Sequence, residues 1–309
     1  MADAPGRVLV TGCGGYLANA VLPHLRASWP RARLAGVGRH TTRLQDWDAL
    51  HETELCDTDA MAALLTDLQP DVVLHAAGRL VGGDWSLLYR DNVQSTLSLL
   101  AAVRRSAPSA RTVVVGSAAE CGMVPPDELP VREHHPLRPV SPYGVSKSWQ
   151  RLAALSQSWH GVHVCVARLF NIVGPSMPGT TSLGAFARQL RDIAAGTRPP
   201  VLDVGDLSPR RDFLDVADIG SAFVALATGG RSGELYNVCR GSSVSIAQAL
   251  NTMIAASGLA VQLHTDSTRL RAADVPDVYG DASKLASASG WTPAVALDDS
   301  LRALVASLA

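Results

Sequence analysis

The sequence has 309 residues, is 47% hydrophobic and carries a formal net charge of −1; the length suits a large α/β core with a smaller second lobe, and the balance excludes the basic face of a nucleic-acid-binding protein. No apolar run approaches the ~20 residues of a membrane span, and Met1–Arg7 leads straight into an apolar strand, so neither a membrane partner nor a signal peptide is expected. The five scattered cysteines, Cys13, Cys56, Cys121, Cys165 and Cys239, form no C-x-x-C pair; they predict a reduced, cytoplasmic protein with neither structural disulfides nor a metal site.

In chain order, the first half alternates short β-branched runs with amphipathic stretches. Strands are predicted over Arg7–Thr11, Arg33–Val37, Glu54–Cys56, Asp71–His75, Arg111–Gly116 and Val162–Arg168, and helices over Gly15–Ser28, Asp59–Leu68, Trp85–Ser106 and Pro142–His160. This alternation implies βαβ crossovers and a Rossmann-like, doubly wound parallel sheet with helices on both faces. Such a fold takes its ligands beyond the carboxyl ends of the strands. After Gly174-Pro175 the pattern loosens into Gly-, Pro- and Ser-rich stretches, Pro175–Thr181 and Thr197–Arg211. The expected division is a sheet domain of residues 1–172, rejoined by the helix and strand of 213–238, and a smaller C-terminal substrate lobe of 173–212 and 239–309.

The first strand runs into Thr11-Gly12-Cys13-Gly14-Gly15-Tyr16-Leu17-Ala18. A glycine turn between strand and helix aims free backbone N–H groups and the positive helix end at a pyrophosphate. Gly12 allows the turn, Gly15 allows close approach, and Tyr16 and Leu17 open the helix beside the cofactor. The second strand ends in Gly38-Arg39-His40, with Arg43 nearby, and lacks the acid that bonds a ribose 2′-hydroxyl in NAD sites. Arg39 can pair with a 2′-phosphate, which favours NADP(H) and leaves NAD(H) as a second choice; a solvated loop cation is the plainer reading of the same residue. Asp57 can accept a hydrogen bond from adenine. Ala76, Ala77 and Gly78 are small enough for the cofactor to lie against the backbone.

Tyr143 and Lys147 stand four apart in Ser141-Pro142-Tyr143-Gly144-Val145-Ser146-Lys147. Proline favours a helix start there, which puts both side chains on one face. A free tyrosine has a pKa near ~10, and an ammonium one turn away favours its phenolate and brings proton exchange nearer working range. Of 27 basic residues only two, Lys147 and Lys284, are lysines; a lysine kept against that bias suggests a site needing a compact ammonium. Ser117 closes the fifth strand, where its hydroxyl can bond a substrate oxygen and stabilise developing charge, or simply cap a turn. Asn92, a poor helix former inside Trp85–Ser106, is a candidate for the cofactor side of the site or for a hydrogen bonder supporting it.

These residues together resemble the extended short-chain dehydrogenase/reductase family almost end to end. The resemblance rests on the glycine turn, Asp57, His75–Gly78, Asn92-Val93, Ser117, Ser141–Lys147, Arg168–Pro175, Arg211–Asp218, Gly280–Lys284 and Gly290–Pro293. Within the family, Val115–Gly122, Ser182–Gln189, Tyr236–Cys239 and Leu270–Pro276 are similar to GDP-4-keto-6-deoxy-mannose reductases. The resemblance implies Ser117, Tyr143 and Lys147 as a catalytic triad, with Asn171, Arg211 and Arg271 meeting a nucleotide-sugar substrate. Arginine forks match diphosphate oxygens. Glu120 is either a substrate contact or a structural acid. Ala118 and Ala119 stand where related dehydratases carry acids, which argues against water elimination. Cys121 replaces the family's usual aromatic, and Ala18 its third glycine.

The implied activity is NADPH-dependent reduction of a nucleoside-diphosphate 4-keto-6-deoxyhexose. A nucleotide-sugar 4-epimerase that recycles NAD is the rival enzyme, and Arg39 argues against it. A non-catalytic NADP-sensing protein is the rival of another class, and the retained Tyr143 and Lys147 argue against that. The resemblance also implies a homodimer through the helices around Trp85–Ser106 and Pro142–His160.

Overall fold

The computed structural model describes residues 4–39, 41, 46–80, 84–269 and 275–307. In chain order its strands are β1 (Arg7–Thr11), β2 (Arg33–Gly38), β3 (Ala49–Glu52), β4 (Val72–His75), β5 (Arg111–Ser117), β6 (Val164–Leu169), β7 (Asn171–Val173), β8 (Val201–Val204), β9 (Arg210–Arg211), β10 (Phe213–Asp215), β11 (Leu235–Val238), β12 (Val244–Ser245), β13 (Gln262–Thr265) and β14 (Asp277–Val278). The helices are α1 (Tyr16–Ser28), α2 (Thr58–Leu68), α3 (Trp85–Leu88), α4 (Ser95–Ser106), α5 (Pro142–Ser156), α6 (Ser182–Ala194), α7 (Val216–Gly229), α8 (Ile246–Ser257), α9 (Ser283–Ser289) and α10 (Leu297–Ala306).

Seven strands form one sheet in the order β11-β6-β5-β4-β1-β2-β3, and every neighbouring pair is parallel. Its inner strands read as unbroken buried runs, such as Val72–His75 and Val164–Leu169, because helices cover both faces. One face packs Val8, Val10, Val113 and Leu169 against Val21, Leu25, Phe223 and Leu226 of α1 and α7. The other packs Leu9, Val73, Val114 and Val166 against Leu65 of α2, Leu99 and Val103 of α4, and Ala154 of α5. A separate core joins Phe186 and Leu190 of α6, Leu250 and Met253 of α8, and Leu301 and Leu304 of α10. A small separate sheet pairs β9 antiparallel with β12 and parallel with β14. No helix among the described residues is long and apolar enough to cross a membrane.

Two elements depart from the sequence expectation. The third strand is Ala49–Glu52, whereas Glu54–Cys56 turns toward α2. This edge strand is half exposed and has no β-branched residue, so its pairing with β2 carries it with little local signal. The expected helix Trp85–Ser106 contains a π-helical turn, Tyr89–Gln94, between α3 and α4. Such turns recur at functional sites, and this one holds Asp91 and Asn92.

Candidate active site

The strand order reverses between β1 and β4, and the loops following these two strands touch. Gly12 has φ +75°, and a Cβ on it would stand 2.7 Å from the Ala77 Cα. Only a residue without a side chain fits this turn. Gly15 caps α1 without a side-chain hydrogen bond, so the helix end offers its N–H groups to an anion. Tyr16 carries a buried hydroxyl with no hydrogen-bond partner, and burial and the Asp215 charge both push its pKa up. The cradle of glycine turn, small Ala76–Gly78 loop and uncapped helix fits a dinucleotide pyrophosphate. Asp57 lies across β3 as the cap of α2; its Oδ1 accepts from the N–H groups of Asp59 and Ala60, both at 3.0 Å.

Ser117 ends β5, and its hydroxyl accepts from the Ala119 N–H at 3.2 Å. Ser141 caps α5 through the Gly144 N–H at 3.1 Å. A Cβ on Gly144 would run into the Ala119 carbonyl, so the start of α5 presses directly on the turn after β5 and brings Tyr143 beside Ser117. Burial pushes the Tyr143 phenol up, and hydrogen bonding with Ser117 pulls the other way. The net direction is upward. That direction, set by burial and not by Lys147, is opposite to the one expected from an ammonium one turn away, and it favours the protonated phenol.

Lys147 is 5% exposed. Its ammonium donates to the Val115 carbonyl at 2.7 Å and to the Gln150 side-chain oxygen. Burial pushes its pKa down to about 8, opposed by the Glu120 charge. Gln150 in turn donates to Thr96 Oγ1 at 2.9 Å, and His75 joins Thr96 at 2.8 Å to Thr11 at 2.7 Å. Burial, with the Lys147 charge, pushes His75 down to about 3. A chain of neutral groups thus runs from the ammonium to the end of β1. Sequence reasoning missed Gln150, although its spacing of three from Lys147 places both on one helix face.

Three residues singled out in the sequence have surroundings that bear on their roles. Asn92 is fully buried. Its Oδ1 accepts from the Arg79 N–H at 2.7 Å, and its Nδ2 donates to the Arg79 carbonyl at 3.1 Å and to Ser146 at 2.8 Å. It clamps the loop after β4 onto α5. Glu120 is also fully buried; it accepts from Arg168 at 2.6 Å and from Arg151 at 2.9 Å. Both guanidinium groups meet Oε1, while Oε2 is buried without a partner, an enclosure that favours the structural acid of the two readings. Cys121 lies in an apolar cluster with Val124, Val131, Phe170 and Cys239, so its role is packing and not stacking against a substrate.

Asn171 on β7 and Arg211 on β9 are linked through Asp212, the residue after Arg211. Asn171 on β7 donates from its backbone N–H to the Asp212 carbonyl at 2.9 Å. Arg211 Nη1 donates to the Arg210 and Val275 carbonyls at 2.7 and 2.6 Å. Arg271, His40 and Arg43 lie outside the described residues. Arg39 is exposed at the end of β2, with Nη2 3.8 Å from Asp91 Oδ2. Arg79 and Arg90 bind the same carboxylate at 2.7 and 2.9 Å. All five cysteines are free, and no group of three or more His, Cys, Asp or Glu side chains among the described residues could hold a metal ion.

A parallel Rossmann-like sheet with a glycine turn after its first strand and Ser117, Tyr143 and Lys147 beyond its central strands defines a nicotinamide-dependent oxidoreductase of the short-chain type. The chain belongs to the NAD dependent epimerase/dehydratase family, whose model matches residues 8–239. It is 31% identical to GDP-6-deoxy-D-mannose reductase of Pseudomonas aeruginosa, over 97% of this chain and 96% of that relative. It is 29% identical to UDP-glucose 4-epimerase of Azospirillum brasilense, over 94% of this chain and 88% of the relative. Among solved structures, RMD from Pseudomonas aeruginosa complexed with NADPH superimposes with a TM-score of 0.86 at 28% identity, covering 100% of this chain and 99% of the other.

Proposed function

We propose that this protein uses NADPH to reduce a nucleoside-diphosphate 4-keto-6-deoxyhexose to the activated deoxysugar. The observation that carries the reading is that Tyr143 meets Ser117 one helical turn from the buried Lys147, whose ammonium lies 3.9 Å from where a Cβ on Gly78 of the dinucleotide cradle would stand. The likeness to GDP-6-deoxy-D-mannose reductase supports the substrate class, and the likeness to the NADPH complex supports the cofactor. Bound NADPH supplies the hydride to the ketone carbon. Tyr143 gives its proton to the ketone oxygen, Ser117 donates a hydrogen bond to that oxygen, and Lys147 holds the charge left on the phenol.

Gly12, Gly15, Tyr16, Leu17, Arg39, Asp57 and Ala76–Gly78 serve the cofactor in this reading. Arg211 and Arg271 serve the nucleotide sugar from the lobe of 173–212 and 239–309, and Asn171 serves it from the end of the cofactor domain formed by residues 1–172 and 213–238. The working form is a cytoplasmic homodimer joined through α3 to α5.

The test follows NADPH absorbance with GDP-, dTDP- and CDP-linked 4-keto-6-deoxyhexoses, with Tyr143→Phe as control. Consumption with one of them, abolished in the variant, is the expected result. No consumption, together with NAD retained by the purified protein, overturns the reductase in favour of the 4-epimerase that the Azospirillum relative represents.

A further inference from the structure

Three arginines converge on one acid at the edge of the dinucleotide cradle. Arg39 comes from the end of β2, Arg79 from the loop after β4, and Arg90 from the π-helical turn. Arg79 Nε holds Asp91 Oδ2 at 2.7 Å, and Arg39 Nη2 faces the same oxygen at 3.8 Å. Arg90 Nε holds the other oxygen at 2.9 Å. The Asp91 side chain is 9% exposed, against 48%, 30% and 40% for Arg39, Arg79 and Arg90. The acid is therefore the floor of the cluster, and the arginines are its open rim.

The charges do not balance. Three guanidinium groups meet one carboxylate in direct contact, and Glu54 acts on Arg90 only from further off, so the cluster keeps a net positive charge. Crowded like charges repel, and exposed pairs of this kind contribute little to stability, so folding alone gives no reason for the third and second arginine. A phosphate monoester carries about −1.5 to −2 at neutral pH, which opposes the excess. The forks are also available. Arg79 and Arg90 each engage Asp91 through Nε, and no hydrogen bond or ion pair of their Nη groups is found among the described residues. Planar Nη forks are the geometry that grips phosphate oxygens.

The position fits the adenosine end of the cradle. A Cβ on Gly38, just before Arg39, would lie 3.2 Å from Cys13 Sγ and 3.8 Å from the Gly14 N of the glycine turn. Arg79 follows Gly78, and Asn92 fixes its backbone at both its N–H and its carbonyl. Cys56, beside Asp57, donates its thiol to the Arg90 carbonyl at 3.4 Å. The cluster thus lies among the ends of β2 and β4 and the start of α2, which surround the adenosine in this fold.

We propose that Arg79 and Arg90, held by Asp91, join Arg39 in a three-arginine site for the 2′-phosphate of NADPH, so that cofactor choice is set as much by the loop after β4 and the π-helical turn as by the end of β2. This rests on the reading that the glycine turn takes a dinucleotide.

Binding of NADPH and of NADH to the intact protein, followed by nicotinamide fluorescence without any sugar substrate, tests it. Arg79→Gln and Arg90→Gln are each expected to weaken NADPH about ten-fold, the usual size of a lost charge-assisted contact, while NADH binding changes less than about two-fold. NADH serves as the control for folding. Unchanged NADPH affinity, or equal weakening of both cofactors, overturns the assignment of these two arginines while leaving the dinucleotide site standing. A wild-type protein that binds neither cofactor overturns both readings.

Discussion

The ammonium of Lys147 donates to the side chain of Gln150, three residues further along α5, and the Gln150 amide passes a hydrogen bond to Thr96 on α4. The lysine is therefore fixed from inside the protein before any cofactor arrives. Gln150→Leu removes an acceptor from a buried ammonium and a donor from Thr96. Turnover is expected to fall roughly ten-fold, with little change in KM for the nucleotide sugar because Gln150 is fully buried. Gln150→Glu keeps the acceptor but sets a negative charge beside the ammonium, which favours the charged lysine. Its activity should persist to higher pH than that of the wild type. Steady-state rates across a pH series separate this positioning role from simple loss of packing, which would leave the profile unmoved.

The wild-type pH profile follows from two displaced groups. Reduction needs Tyr143 protonated, to give up its proton, and Lys147 charged, to hold what remains. Burial lowers Lys147 to about 8, so the ammonium is present below that pH and is lost above it. The reductase rate should be level through neutral pH and fall above about 8. Burial also lowers His75 to about 3, so the Thr11–His75–Thr96 link stays neutral and adds no break in the ordinary histidine range. Lys147→Arg carries a charge that is not titrated in proteins; it should turn over more slowly and lose the alkaline break. Burial raises Asp212, beside Asn171, to about 6, so an acid-side break there is assigned to His75 only if Asp212→Asn leaves it in place.

Much of the site was legible because its signals are local. The glycine turn sits directly between β1 and α1, and Tyr143 and Lys147 share a helix face that Ser141 and Pro142 open. What escaped the sequence depends on partners far along the chain. Glu120, three residues after Ser117, reads equally as a substrate contact or a structural acid in the sequence, and only the fold brings Arg168, 48 residues away, and Arg151, 31 away, onto it. Asn92 reads as a cofactor-side residue or a supporting hydrogen bonder, and the partner of its amide, Ser146, lies 54 residues away. β3 was misplaced because an exposed edge strand needs neither β-branched residues nor an alternating pattern when its neighbour supplies the hydrogen bonds. The Arg39, Arg79 and Arg90 cluster was invisible beyond its first member, since only the fold brings the ends of β2 and β4 together.

Breaking the Glu120 cluster should cost stability. Arg168 has no exposed side-chain surface, and besides Glu120 it donates to Asn237 Oδ1 and the Arg132 carbonyl, both at 3.1 Å. Replacing Glu120 by Gln leaves that buried guanidinium without its counter-charge. Removing one partner of a buried pair costs about 3–5 kcal/mol. A denaturant unfolding curve should show a lower midpoint with an unchanged slope. A loss of activity with an unaltered midpoint would return Glu120 to the list of substrate contacts.

The outer faces of α3, the π-helical turn and α5 carry an aromatic patch that tests the proposed dimer. Trp85 and Trp149 approach with ring centroids 6.0 Å apart, and Tyr89 meets Trp149 edge-on at 6.4 Å. The three rings are 50%, 45% and 44% exposed for Trp85, Tyr89 and Trp149, and Leu152 beside them is 54% exposed. A cluster of large apolar side chains on adjoining helices is costly to leave in water and marks a protein interface, and aromatic anchors of this kind carry a large share of interface energy. A second copy of the same face, related by a two-fold axis, would bury these rings against themselves. Light scattering behind size exclusion should give twice the mass of one chain for the wild type and the mass of one chain for Trp149→Glu, which sets two like charges near the axis. A wild-type monomer, or a variant that stays a dimer, would move the interface away from these helices.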